Sequence, residues 1–169
     1  MSGNLTIDIS RSSDGWDSAL PEAETVIRRA AESAWESGTA GDRSGDAEVS
    51  VALADNALVR KLNRDYRGKD KPTNVLSFPA EDGGAPGRAR LLGDVVLALE
   101  TVRREAAERS KPLPDHVSHL VVHGILHLLG RDHETETQAA AMEALEIEIL
   151  AGLGVENPYL TVEGAADRA

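Results

Sequence analysis

Cysteine is absent from the 169 residues. No disulfide can form, and any metal site has to be assembled from histidine, aspartate or glutamate. Aromatic residues make up only 3% of the chain, so the core has to rest on Ala, Val, Leu and Ile. There is no long apolar run and no basic-then-apolar start, and the opening "MSGNLTIDIS" reads as a first strand. This pattern leads us to expect a soluble, cytoplasmic protein with no membrane partner. Positive charge is also scarce: 18 Lys and Arg stand against 29 Asp and Glu, a net charge of -11. That balance argues against a general affinity for nucleic acid.

What positive charge there is gathers in one place. "RKLNRDYRGKDK", residues 60–71, carries Arg60, Lys61, Arg64, Arg67, Lys69 and Lys71 against Asp65 and Asp70. A basic patch on an acidic body can guide a polyanion to one site and repel it elsewhere; a solvated helix face followed by a turn would also account for it.

The length fits one domain, and 41% hydrophobic residues is an ordinary globular share. Leu5, Ile7 and Ile9 alternate with polar residues as a half-buried strand does, and so do Val49, Val51 and Leu53. The segment "SRSSDGWDSALP" reads as a loop, as do "SGTAGDRSGDA" and "EDGGAPGRAR". Val26, Ile27, Ala30, Ala34 and Trp35 mark the inner face of a helix from Glu22 to Ser37. Leu58, Leu62 and Tyr66 would line one face of a short helix, and "NVLSF" is a strand ended by Pro79. "LLGDVVLAL" suggests a buried central strand. A helix is expected over Glu100 to Arg109, and another from an Asp115 N-cap to about Leu129. The last helix carries Met142, Leu145, Ile149 and Leu150 and is stopped by Gly152 and Gly154. The expected class is α/β (or α+β): a single domain over residues 1–155, with about four strands, and a flexible tail over 156–169.

"HGILHLLGRDH", residues 123–133, holds three of the five histidines. His123 and His127 are four apart, which on a helix puts both side chains on one face within reach of a single ion. Gly130 suits a helix end, after which the chain can turn back and present His133. Three neutral imidazoles with one open position make the coordination set of a catalytic zinc site, whereas a structural site is closed by four protein ligands. Nickel or copper would also bind such a set. The spacing matches the ligand frame of metzincin proteases, except that their general-base glutamate is replaced by Gly124. Glycine there costs about 1 kcal/mol of helix propensity relative to alanine, so something approaches closely or excludes a side chain. Asp132 can orient a ligand through a hydrogen bond or cap the next helix. His119, one turn before His123, is a candidate for the shell around the ligands or a plain groove histidine, and His116 reads as exposed.

Taken with "YRGKDKPTNVLSFP", residues 66–79, the histidine segment resembles the YbeY family of bacterial endoribonucleases, also called rRNA maturation factors. The likeness runs from about Leu5 to Leu153 and takes in "LLGDVVLALETVRREA" and "HLVVHGILHLLG". Arg131 departs from the tyrosine usual in that family before its Asp-His pair. The resemblance implies a metal-dependent endoribonuclease that acts on single-stranded RNA in rRNA maturation and ribosome quality control. Its partners would be an rRNA precursor and the ribosome or ribosomal proteins. It implies one zinc on His123, His127 and His133, a functional arginine at Arg67, and a small mixed, mainly parallel sheet with five or six helices.

Phosphodiester cleavage builds negative charge on nonbridging oxygens, which zinc and a fixed guanidinium can stabilise. His123 and Arg67 are therefore the expected catalytic residues, with Lys69 and Lys71 helping Arg67 hold the RNA backbone. Zinc also lowers the pKa of a coordinated water; whether water or the ribose 2′-OH attacks stays open. Arg67 could instead serve a structural salt bridge. Thr73, Asn74, Ser77 and Asp94 are weaker candidates near the site. Two other readings share the ligand frame: a zinc hydrolase such as a peptidase, and a non-catalytic ribosome-assembly factor with structural zinc.

Overall fold

The computed structural model describes residues 3–38, 45–80, 90–131 and 134–160. Ten elements follow one another: β1 (Leu5–Arg11), α1 (Gly15–Ala19), α2 (Ala23–Gly38), β2 (Ala47–Ala54), α3 (Asn56–Arg67), β3 (Val75–Pro79), β4 (Arg90–Ala98), α4 (Leu99–Glu108), α5 (Leu113–Leu128) and α6 (Glu136–Gly152). The strands form one four-stranded sheet in the order β1-β2-β4-β3. β1 and β2 are parallel, β2 and β4 are parallel, and β3 runs antiparallel to β4 at the edge. The mixed, mainly parallel α/β domain expected from the sequence is therefore present. No described helix is long and apolar enough to cross a membrane.

Residue chemistry accounts for the layering. The near-continuous apolar run of β4 suits a strand with neighbours on both edges, and Val95, Val96, Leu97 and Ala98 are buried. In β1 and β2 the apolar positions Ile7, Val49, Val51 and Leu53 face α2 and α5 within the main core. On α2 the core side is built largely from Ala23, Ala30, Ala31 and Ala34, each almost wholly buried. Small side chains let that helix lie close to α5. Gly38 extends the same close contact, since a Cβ there would fall 2.7 Å from a Leu126 methyl. A second, smaller cluster of Ala54, Val59, Leu76, Val96 and Ala98 lies under α3.

Several local readings need correction. The stretch read as a loop after β1 contains α1, whose Trp16 is fully buried and donates its indole N–H to the Ala54 carbonyl at 2.8 Å. One buried aromatic ring outweighs the loop-forming Ser, Asp and Gly around it. The inner side of α3 is Val59 and Asn63, with Leu58 and Leu62 of the expected row partly buried beside them, but Tyr66 at the end of that row is 73% exposed. Helix α5 begins at Leu113 with Pro112 as N-cap, so Asp115 sits inside the first turn. The loop residues 39–44 and 81–89, and the tail residues 161–169, lie outside the described residues.

Candidate active site

Helix α5 brings the functional side chains to the sheet edge. Gly124 is buried against β4 and β3: a Cβ there would sit 3.1 Å from the Ser77 hydroxyl and from both Val95 methyls. The glycine thus allows the helix to seat on the sheet, and His123 and His127 fall on the side facing a groove of about 550 Å³. Their rings meet edge to face with centroids 4.6 Å apart. The helix ends as its sequence suggested. Gly130 has φ +93°, and the N–H groups of Gly130 and Arg131 return to the His127 and Leu126 carbonyls at 3.0 and 2.9 Å. Arg131 also donates to the Gly38 carbonyl at 3.3 Å, which ties this turn to the end of α2.

Behind the histidines stands a residue that the sequence reading passed over. Glu146 of α6 is fully buried. Its Oε2 is 2.6 Å from His123 Nδ1, its Oε1 is 3.2 Å from His119 Nε2, and the Tyr159 hydroxyl donates to it. Burial opposes the charged form, yet the hydrogen bonds from His119, His123 and Tyr159 outweigh it and bring the carboxyl down to about 2. The phenol of Tyr159 is pushed up by burial and by that same carboxylate. An ionised carboxylate only accepts hydrogen bonds, so His123 presents its Nδ1–H to Glu146. His119 is fixed likewise through Nε2, and its Nδ1 is buried with no hydrogen-bond partner among the described residues. The available signal was positional: Glu146 falls four residues after Met142 and four before Leu150, within the apolar row of α6.

His119 is therefore buried beside the pair, and His116 is buried too, not exposed. His116 Nε2 lies 2.9 Å from Glu105, which also accepts from Asn74 at 2.9 Å. Burial holds the imidazole below its usual range, although Glu105 partly offsets this.

Arg67 lines the same groove as His123 and His127. It donates to the Ser77 carbonyl at 2.6 Å and lies over the Phe78 ring, 5.4 Å from its centroid. The salt bridge considered for it does not occur among the described residues. Its place follows from the end of α3, where Gly68 takes φ +72° and Asn63, buried, donates to the Lys71 carbonyl at 2.8 Å. Lys69 and Lys71 are exposed on that loop and are not among the groove's lining residues. Asn74 and Ser77 do line it, whereas Thr73 does not. Asp94 lies in a different depression with Thr6, Asp8 and Glu48. Tyr159 and Arg109 complete the wall, and sequence reasoning had marked neither.

His133 and Asp132 lie outside the described residues, and among those described no group of three His, Cys, Asp or Glu side chains is placed to hold a metal ion. The two imidazoles on α5 suit a divalent transition metal by their donor chemistry. One is already oriented by a buried carboxylate, the arrangement that fixes ligand histidines in metal sites.

Comparison with known proteins agrees with this geometry. The family model described as Endoribonuclease YbeY matches residues 11–154. The chain is 52% identical to the endoribonuclease YbeY of Parvibaculum lavamentivorans over 163 residues, which is 92% of this chain and 85% of that protein. It is 51% identical to the one from a Bradyrhizobium strain, over 91% of this chain and 92% of that protein. A third, from Rhodopseudomonas palustris, is 54% identical over 86% of this chain and 85% of its own length. The groove's histidines and both of its arginines fall within the matched span, and the chain belongs to the endoribonuclease YbeY family.

Proposed function

We propose that this chain is a metal-dependent endoribonuclease that cleaves single-stranded RNA during rRNA maturation and ribosome quality control, with zinc held by His123, His127 and His133. The observation that carries the reading is the meeting of Arg67 with His123 and His127 in one groove. When bound, zinc supplies Lewis-acid polarisation of a phosphoryl oxygen and lowers the pKa of water.

The chain's own residues do the rest. Arg67 commits one N–H to the Ser77 carbonyl, and its plane rests on Phe78. A guanidinium has five N–H donors, so others remain for the nonbridging oxygens on which negative charge grows. Because the group is fixed before substrate arrives, little reorganisation is needed as that charge develops. Glu146 accepts from His123 at Nδ1 and so orients its ring. The exposed Lys69 and Lys71 would draw the RNA backbone toward the groove, with an effect that weakens in salt. The ribosome or its proteins would be the setting in which the precursor is met.

Gly124 weighs against a peptidase. A protease with this ligand frame carries its base at that position, and here the position is a glycine packed tightly against Val95 and Ser77, so no carboxylate stands there.

The test is a pair of variants assayed on single-stranded RNA, with zinc measured in each. His123→Ala should lose zinc and cleavage together. Arg67→Glu should keep zinc and lose cleavage; normal cleavage by it would remove Arg67 from the mechanism.

A further inference from the structure

Arg109 closes the groove at the end away from Arg67. It is the C-cap of α4, and the turn behind it is tight: Ser110 takes a left-handed conformation at φ 54°, and the Lys111 N–H returns to the Ala106 carbonyl at 2.9 Å. Ser110 is the one described non-glycine residue with positive φ, a conformation that costs a β-carbon residue roughly 1 kcal/mol. The turn fixes where the arginine backbone stands. The side chain lines the groove and also a small adjoining cleft with His116 and His119.

Two features of its surroundings stand out. First, the chain is rich in acid, with 29 carboxylate residues, yet none is among the described residues that line the groove. Second, the Arg109 guanidinium makes no hydrogen bond or ion pair with a described residue. Arg11, Arg28, Arg60, Arg64 and Arg104 all pair with carboxylates. A cation with no carboxylate bonded to it, beside a groove with no carboxylate in its described lining, suits a ligand that brings its own negative charge, although Glu105 is within its electrostatic reach and the adjoining cleft holds Asp115 and Glu156.

Its distance from Arg67 can be judged along α5. Arg109 sits at the level of His116 and His119, while Arg67 is bonded to Ser77, whose hydroxyl reaches the Gly124 carbonyl at 3.4 Å. Five to eight residues of helix separate those levels, about 8–12 Å at 1.5 Å per residue. Guanidiniums based at such separate levels can each meet a different phosphate of one strand.

We propose that Arg109 binds a second phosphate of the same single-stranded RNA whose scissile phosphate meets Arg67, so the strand lies along α5 past His123. This rests on the reading above that the groove takes RNA. It makes Arg109 a substrate-positioning residue that sets the direction of the strand.

The experiment is steady-state cleavage of a single-stranded RNA oligonucleotide by the zinc-loaded protein over a series of KCl concentrations. Arg109→Ala should raise KM by about tenfold at low salt and make the logarithmic salt dependence shallower by about 0.7, the value for one phosphate contact on a single strand. Arg109→Lys should recover most of the loss. Arg109→Glu is to be compared with Arg103→Glu, which makes the same charge change on an exposed face of α4, outside the groove. Only Arg109→Glu should weaken RNA use. A role confined to the end of α4 would lower the melting temperature and leave KM and the salt slope as in wild type; that result overturns the proposal. Equal losses in the two charge-matched variants overturn it as well. If wild type fails to cleave RNA, the function proposed above falls and this inference with it. If Arg67→Glu abolishes cleavage while Arg109→Ala matches wild type, only the present inference falls.

Discussion

Glu146 is the side chain whose removal would be felt most widely. It accepts hydrogen bonds from His119, His123 and Tyr159 in a setting without solvent. Replacing it with alanine strands those donors, at a cost on the order of 3 kcal/mol in stability. Glu146→Gln keeps the shape but halves the acceptor capacity. It should weaken zinc binding by about 10- to 100-fold in a chelator competition, the usual loss when an outer partner of a ligand histidine is altered. Unchanged zinc affinity would mean that His123 needs no orienting carboxylate. The contrast with the histidines shows what was legible at this scale. His123 and His127 could be read from the sequence because a spacing of four on a helix is a local property. Glu146 belongs to another helix, 23 residues further on from His123, and next to Glu143 and Glu148 its residue type alone singles out nothing. Only its place in the apolar row does so.

At the scale of elements, α5 can approach the sheet because residue 124 has no side chain. Gly124→Leu would push Val95 and Ser77 aside and should cost roughly 2 kcal/mol despite its better helix propensity. The melting temperature would then fall by about 4–8 °C for a domain of this size. An unchanged melting temperature would show that the contact with β4 is slack. Helix α6 begins at a capping box, in which Thr135 accepts from the Gln138 N–H at 3.0 Å and Gln138 accepts from the Thr135 N–H at 3.1 Å. Thr135→Ala should cost about 1 kcal/mol by urea denaturation. Long periodic elements such as α2, β2, β4 and α6 were readable because burial imposes a repeat on their residues. Short α1 was not, since a five-residue helix shows no repeat and Trp16 holds it through a contact distant in sequence. On α3 the expected row held for Leu58 and Leu62, which pack beside Val59 against β3 and β4, and failed only at Tyr66, where the spacing of four continues past the packed surface.

For the whole molecule, charge placement links stability to function. His116 is held below its usual range chiefly by burial, and Glu105 is also lowered, because its bonds to Asn74 and His116 outweigh burial. The unfolded chain therefore takes up these protons first as pH falls. Stability contributed by the pair is complete above about pH 6.5, declines as unfolded His116 charges, and declines again below about pH 4.5 as unfolded Glu105 protonates. Urea midpoints of metal-free protein between pH 8 and 4 should follow that order. The ring protons of His116, followed by NMR, should titrate at lower pH in the folded protein than in the unfolded chain; the reverse order would contradict the burial argument. The same acidic body presents a groove whose described lining contains arginines and no carboxylate. Net charge alone pointed away from RNA, whereas the clustering of basic residues over 60–71 and the arginines in the groove point toward it.

The most direct measurement is a zinc titration of metal-free protein, with bound metal and cleavage of single-stranded RNA followed in the same samples, for wild type and His127→Ala. Wild type should bind one equivalent per chain, with cleavage rising in step, while His127→Ala does neither. Full cleavage by metal-free wild type, or by His127→Ala without bound zinc, would contradict the account.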